Sequence, residues 1–251
     1  MLYAATTFWL LVIVFSAWGV HALWSRLVKP RAVNVVLLPG TLVAQLGHVL
    51  GILITGGSVR NTALMSEDEA GAPQSDVPDK QRIPIIGSVI VGLLPLLACA
   101  GALYATAGFW GGSVISKLGI HGAGVSQGLP MGVAEGWQLL RSSVDVMEDM
   151  LHAIMYSDLR DWRTLAFLYL AVCLTVRMTP FEGNRRGAIG AILLAGAVIW
   201  VAASISDALH GGILASWSLL SFVVGMLLFL LLLSLVVTGL VGFVRIMVKA
   251  E

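Results

Sequence analysis

Six long apolar runs, separated by polar stretches, dominate the chain. They cover approximately residues 3–24, 33–54, 83–108, 162–179, 187–205 and 213–244. A helix needs about 20 largely apolar residues to cross the roughly 30 Å of hydrocarbon in a bilayer. Because each run approaches or exceeds this length, the pattern predicts an all-α, polytopic membrane protein with about six transmembrane helices.

Two polar segments interrupt these runs and divide the chain. Residues 56–82 contain an acidic cluster followed by Pro, Gly, Ser and Asp, which is typical of a loop, and a short β element could form at 57–65. Residues 109–161 begin Gly-rich and then become helical. We expect an N-terminal anchor helix and basic loop in 1–32, a core in 33–187 with insertions at 56–82 and 109–161, and two C-terminal transmembrane helices in 188–251.

The second insertion contains apolar residues spaced alternately four and three apart. This heptad seam consists of Val133, Trp137, Leu140, Val144, Met147, Leu151 and Ile154. The spacing predicts a helix over residues 132–157, outside the hydrocarbon, with its seam buried against protein. The seam could pack on this chain, bind a helix of another chain or lie on the membrane surface. Its candidate partner-binding residues are Trp137, Leu140, Val144, Met147 and Leu151.

Composition supports a membrane protein and excludes several other classes. Apolar residues make up 58% of the chain and charged residues 12%, with a mean hydropathy of +0.91, whereas an average soluble domain is roughly 45–50% apolar and about 25% charged. A disordered chain, a nucleic-acid binder and a small disulfide-rich module each need a different composition. We therefore expect the lipid bilayer as a partner and no nucleic acid.

Basic residues give conflicting indications of orientation. Six spans would place both ends of the chain on one side of the membrane, with eight of the 15 Lys and Arg residues on that side and seven on the other. Under the positive-inside rule, the loop with Arg26, Lys29 and Arg31 favours ends outside. A second group argues for ends inside; it comprises Arg185, Arg186, Arg245 and Lys249. We take the ends to be cytoplasmic.

The second apolar run contains a motif that indicates a family. Residues 38–50 read LPGTLVAQLGHVL and are followed at 56–61 by GGSVRN. This layout resembles the site-2 protease family of intramembrane zinc metalloproteases, whose core helix carries H-E-x-x-H and leads into a glycine and a short strand. The two histidines of that motif bind zinc and the glutamate activates the metal-bound water. Here Ala44 replaces the first ligand, Gln45 replaces the general base, and only His48 remains.

A second segment extends the resemblance. Residues 177–188 read RMTPFEGNRRGA, at a place where family members supply an acidic third zinc ligand from a Pro- and Gly-containing segment. By position Asn184 stands for that aspartate, and Glu182 lies close to it. The resemblance thus implies a degenerate metalloprotease-like core in spans 2 to 4, with a vestigial site made of Ala44, Gln45, His48, Glu182 and Asn184. We also expect a non-helical break at 180–187, held by protein contacts.

The chemistry of this residue set argues against hydrolysis. A catalytic zinc normally takes three protein ligands, and an amide cannot accept a proton from water. We therefore expect no catalytic residue, metal or cofactor, and interpret His48 as hydrogen-bonded to a neighbouring helix. Gly47 and Gly51 form a G-x-x-x-G pattern that predicts close helix packing. The pairs at 149/152 and 207/210 match the Asp-x-x-His spacing of di-iron sites, but the apolar runs lack the further carboxylates such sites need.

These observations favour a non-catalytic membrane pseudoprotease that acts as a scaffold or regulatory subunit of a larger complex. Its expected partners are other membrane proteins or their transmembrane helices, and its expected location is a prokaryotic inner membrane, as a multi-pass protein. The alternative is an active intramembrane metalloprotease with an atypical metal site that includes His48 and Glu182. A transporter is disfavoured, because the spans contain no buried acidic residues and no paired broken helices.

Overall fold

The computed structural model describes most of the chain. It covers residues 2–56, 62–63, 74–75, 84–118, 124–130, 132–178 and 207–249, with the single positions 190, 193, 196, 197 and 200. The helices before residue 120 are α1 (Leu2–Leu27), α2 (Pro30–Val36), α3 (Leu38–Ile54), α4 (Pro84–Trp110) and α5 (Gly112–Ile115). The later helices are α6 (Val133–Met155), α7 (Trp162–Val176), α8 (Asp207–Ala215) and α9 (Trp217–Lys249).

Three helices are long and apolar enough to cross a membrane. They cover Leu2–Leu27, Ile90–Trp110 and Trp217–Phe243. Helices α3 and α7 are apolar but have only 17 and 15 residues. The all-α fold class is therefore confirmed. The described residues contain three candidate spans, fewer than the six that the apolar runs predicted.

Backbone chemistry explains where the helices depart from the predicted runs. The run expected at 33–54 kinks at Leu37, between α2 and α3, because Pro39 has no N–H to continue the helical ladder. Helix α7 starts at Trp162 as expected, where the Asp161 carboxylate accepts a hydrogen bond from the Arg163 N–H at 3.0 Å. The run expected at 213–244 is divided. Ile213 belongs to the short α8, and the last long helix begins at Trp217.

The β element is minimal. Strand β1 (Thr62–Ala63) pairs antiparallel with β2 (Gln74–Ser75), with Thr62 opposite Ser75. Two residues per strand form a local turn contact and not a layer of the fold. The hairpin therefore leaves the fold class unchanged.

Helices α1 and α9 pack side by side in the same direction. A Cβ on Gly19 would lie 2.9 Å from Leu231, and the Trp24 indole donates a hydrogen bond to the Ser234 hydroxyl at 2.8 Å. Because both residue numbers rise along the contact, the start of α1 and the end of α9 lie at opposite ends of the pair. If both helices cross the bilayer, these ends lie on opposite sides, which is incompatible with the shared side that six spans would give.

A short loop before α6 is fixed to the starts of two candidate spans. The indoles of Trp9 and Trp217 donate to the carbonyls of Ser126 and Val125, each at 2.9 Å. The Val125 N–H donates to the Ser221 hydroxyl at 3.1 Å. These bonds place the 124–130 loop, and with it the entry to α6, at the end of the molecule where α1 and α9 begin.

Helix α6 packs on the rest of the chain mainly through residues beside its heptad seam, and only the second half of the seam is partly buried. Its buried side chains are Val146, Asp149, Met150 and Ala153. Val146 and Met150 face α9 at Gly225, where an added Cβ would lie 3.0 Å from the Val146 carbonyl oxygen. The first half of the seam is exposed instead, from Val133 at 94% to Val144 at 55%. Burial of the whole seam within this chain, one of the alternatives above, is therefore wrong.

Candidate functional site

The surviving motif positions lie on one buried face of α3. Ala44 and His48 are one helical turn apart and Gln45 follows Ala44, on the buried side of α3, which packs against α4 and α7. Each is at most 7% exposed. The sequence motif is thus part of the helix-packing interior of the described structure.

Two glycines bring α3 and α4 into close contact beside these residues. A Cβ on Gly47 would lie 2.7 Å from the Leu94 carbonyl oxygen and 2.8 Å from both the Pro95 Cα and the Ala98 Cβ. A Cβ on Gly51 would lie 3.0 Å from the Val91 Cα. The predicted close packing of the G-x-x-x-G pattern is confirmed, and α4 fills the space directly beside the motif.

The His48 side chain has a partner on the neighbouring helix. Its imidazole hydrogen-bonds to the backbone of Val91 on α4. This bond agrees with the interpretation of His48 as a buried histidine that joins two helices. Gln45 is buried as well and has a partner of its own.

The other side of α3 contacts the end of α7. A Cβ on Gly40 would overlap the Cys173 carbonyl, so the two backbones touch there. The Val36 carbonyl, at the kink before α3, accepts hydrogen bonds from the Tyr169 hydroxyl at 2.8 Å and the Cys173 thiol at 3.5 Å. These bonds give the Val36 carbonyl two side-chain partners at the kink.

A buried arginine lies just beyond this contact. The Arg177 guanidinium donates to the Asn34 side chain, and both residues are 6% exposed. Its Nε atom has no hydrogen-bond partner. Sequence reasoning placed Arg177 near the end of a span but missed the pairing with Asn34, which could be suspected from a lone amide inside an apolar run.

The second motif segment falls largely outside the described residues. The described residues stop at Met178, just after α7 ends at Val176, whereas Glu182, Asn184 and the expected break at 180–187 lie outside them. Among the residues that the structure describes, no three His, Cys, Asp or Glu side chains come together as metal ligands. Nothing described therefore joins His48 to a second zinc ligand.

The candidate partner-binding residues divide along α6. Trp137, Leu140 and Val144 are exposed, whereas Met147 and Leu151 are partly buried. The polar side of the same helix and the 124–130 loop enclose an open cleft of about 500 Å³, lined by Ser126, Glu135, Gln138 and Ser142 among others. The exposed and buried halves of the seam thus face different surroundings.

Comparison with known proteins adds no further assignment. The chain matches no protein family, no characterised protein and no solved structure.

Proposed function

We propose that this chain is a non-catalytic, multi-pass membrane protein that acts as a scaffold or regulatory subunit, built on a degenerate metalloprotease-like core. One observation carries the proposal. The motif face of α3, with Ala44, Gln45 and His48, is buried beside a helix contact so close that a Cβ on Gly47 would lie 2.7 Å from the Leu94 carbonyl oxygen of α4. A catalytic zinc site needs an open coordination position for water and a path for the substrate. A face filled by α4 and α7 offers neither.

A binding role then requires a different surface, and α3 supplies one. Its outer face consists of Leu46, Leu50, Leu53 and Ile54, which are 51–66% exposed. The first three follow the four-three spacing with which one helix packs along another. We assign this face to a transmembrane helix of a partner protein.

The length of α3 supports a protein neighbour on this face. Seventeen residues extend about 25 Å, less than the roughly 30 Å of hydrocarbon. A short apolar helix adapts to the bilayer by thinning it or by associating with other helices. Helix α7 is shorter still. A partner helix that covers α3 would also shield the ends of α3 from lipid.

The wider architecture belongs to the same proposal. The second to fourth apolar runs would form the membrane core if α3 and α7 also cross the bilayer; because α1 and α9 run in the same direction, the number of crossings is then odd, five rather than six. A prokaryotic inner membrane is the proposed location. The partner would be another integral membrane protein of the same membrane.

Site-specific photocrosslinking tests the partner surface. A photoreactive residue at Leu46 or Leu50, in native membranes, should give a discrete adduct with a membrane protein. Leu232 of α9 is a matched control, because it is also an apolar residue of comparable exposure on a membrane helix. No adduct at Leu46 and Leu50, or the same adducts at Leu232, would contradict a specific partner on α3.

Metal analysis tests the non-catalytic assignment separately. The purified chain should contain zinc well below one ion per molecule and should cleave no membrane substrate. Restoring the motif with Ala44→His and Gln45→Glu should destabilise the fold, because larger and charged groups enter a filled interface. One tightly bound zinc per chain, whose removal abolishes a proteolytic activity, would refute the assignment.

A further inference from the structure

Half of the α6 seam is an apolar surface that the described part of the chain leaves exposed. Val133, Trp137, Leu140 and Val144, termed the exposed stripe, are 94%, 69%, 60% and 55% exposed. Further along the same face, Met147, Leu151 and Ile154 are partly buried. Exposure therefore falls steadily along the helix, so the end nearest Val133 stands furthest from the packed helices.

The point where α6 docks lies near a membrane boundary. Val146 and Met150 contact α9 at Gly225, eight residues and about 12 Å after Trp217, where the candidate span begins. That span has 27 residues and measures about 40 Å, roughly 10 Å more than the hydrocarbon thickness. With this excess at the start of α9, roughly the first 10 Å of the helix lies in the headgroup region, and the contact with α6 at Gly225 lies about 2 Å further in, close to the boundary of the hydrocarbon.

Exposed aromatic residues mark the same level on other helices. Phe109, at the end of the candidate span in α4, is 80% exposed. Trp110 follows it and packs on Trp162, with ring centroids 6.2 Å apart. Aromatic residues concentrate at membrane–water interfaces because their rings are apolar and their edges polar. Helix α5, which follows Trp110 closely, contacts α6.

We propose that the exposed stripe of α6 lies in the lipid–water interface, on the side of the membrane where α1 and α9 begin. The stripe is continuous with the docked half of a helix that already packs on a membrane span. Trp137 would then join Phe109, Trp110 and Trp162 in one aromatic belt. The occupant of this surface is lipid and not a protein helix, and it is distinct from the partner surface on α3.

The charge of α6 specifies the kind of lipid. The helix carries Glu135, Asp145, Glu148 and Asp149 but only one Lys or Arg, Arg141. Interfacial helices that depend on anionic lipid carry Lys and Arg along their polar face. Contact of α6 with the bilayer therefore rests on apolar burial, so zwitterionic lipid suffices and anionic lipid adds nothing.

Spin-label accessibility tests this placement on the full chain in phosphatidylcholine nanodiscs. Each variant carries one spin label, at Leu140→Cys or at Val144→Cys, in a background with Cys99→Ala and Cys173→Ala. Asp145→Cys is the matched control, because it is exposed on the same helix but lies well off the stripe. The measured quantity is the ratio of label collisions with oxygen to collisions with a water-soluble nickel chelate. This ratio should be several-fold higher at Leu140 and Val144 than at Asp145. Adding phosphatidylglycerol to the nanodiscs should leave it unchanged.

The other occupants give different results, and each would overturn the proposal. Equal exposure to the nickel chelate at all three positions would place the stripe in water. Immobile labels at Leu140 and Val144, shielded from both collision partners, would indicate a protein cover. Dipolar coupling in a singly labelled variant would identify a second copy, and its absence a different partner. A ratio that rises only with phosphatidylglycerol would overturn the charge argument.

Discussion

Helices α3 and α6 both carry large apolar side chains, and both direct many of them away from the protein. In α3 the buried face contains Gly40, Ala44, Gly47 and Gly51, whereas Leu46 and Leu50 are exposed. In α6 the contact forms where Gly225 of α9 admits Val146 and Met150, whereas Trp137 and Leu140 are exposed. Lipid tails are as apolar as leucine, so close backbone approach at small residues selects the packed face. In water, by contrast, the hydrophobic periodicity of a helix determines which of its faces is packed.

The largest effect is expected from enlarging the α3–α4 contact. Gly47→Leu places a side chain where the Leu94 and Pro95 backbones lie within 2.8 Å of a Cβ. Backbone atoms cannot rotate away, so the helices must separate, at a cost above the roughly 1–3 kcal/mol of ordinary overpacking. We expect little folded protein by size-exclusion chromatography in mild detergent.

Gly101→Leu is the matched control for this change. Gly101 lies on α4, and a Cβ there would meet nothing within 4 Å. The variant should elute and unfold like the unmodified chain. If Gly47→Leu were equally harmless, close packing would not determine the buried face of α3.

The next largest effect is a difference in stability between substitutions on the two faces of α6. Met150→Ala removes a side chain that is 1% exposed and should destabilise the protein by about 2–5 kcal/mol. Leu140→Ala removes one from the exposed stripe and should change the free energy of unfolding by less than about 0.5 kcal/mol. Chemical unfolding in detergent measures both. The reverse ranking would restore the heptad seam as the packing face.

A smaller effect is expected at the buried polar pair. Asn34→Leu removes the side chain that accepts a hydrogen bond from Arg177, while the guanidinium stays buried. Because hydrogen bonds to charged groups contribute about 1.5–3 kcal/mol, Asn34→Leu should lower the free energy of unfolding by about this amount. Asn34→Gln, which keeps an acceptor, should recover part of the loss in the same unfolding assay. An unchanged stability for Asn34→Leu would show that the pair is dispensable.

Orientation is tested with labels at exposed positions. Arg26, Lys29 and Arg31 lie at the same end of the α1–α9 pair as Arg245 and Lys249, so groups that conflicted under a six-span topology now agree. The positive-inside rule makes this end cytoplasmic. With Cys99 and Cys173 replaced by Ala, an impermeant maleimide added to intact cells should label Gly132→Cys, before α6, but not Val28→Cys, in the turn after α1. The opposite labelling pattern would reverse the orientation.

Much of the fold follows from the sequence, because helix formation depends on local features. The apolar runs located α1, α4 and α9, and the G-x-x-x-G pattern located the α3–α4 contact. The kink at Leu37 was missed, although Pro39 signals it. The packed face of α6 could not be predicted, because it depends on Gly225, which lies 75 residues beyond Met150. The Asn34 and Arg177 pair likewise joins two distant segments.

The central claim is that the motif face of α3 is sealed against water. It is tested most directly by the reactivity of Ala44→Cys, a small change at a position 1% exposed, in a background with Cys99→Ala and Cys173→Ala. In nanodiscs, a water-soluble maleimide should leave this thiol unmodified until the protein is denatured, while Asp145→Cys on α6 reacts at once. Rapid labelling of Ala44→Cys in the folded protein would show that water reaches the motif, as an active protease requires, and would contradict the account.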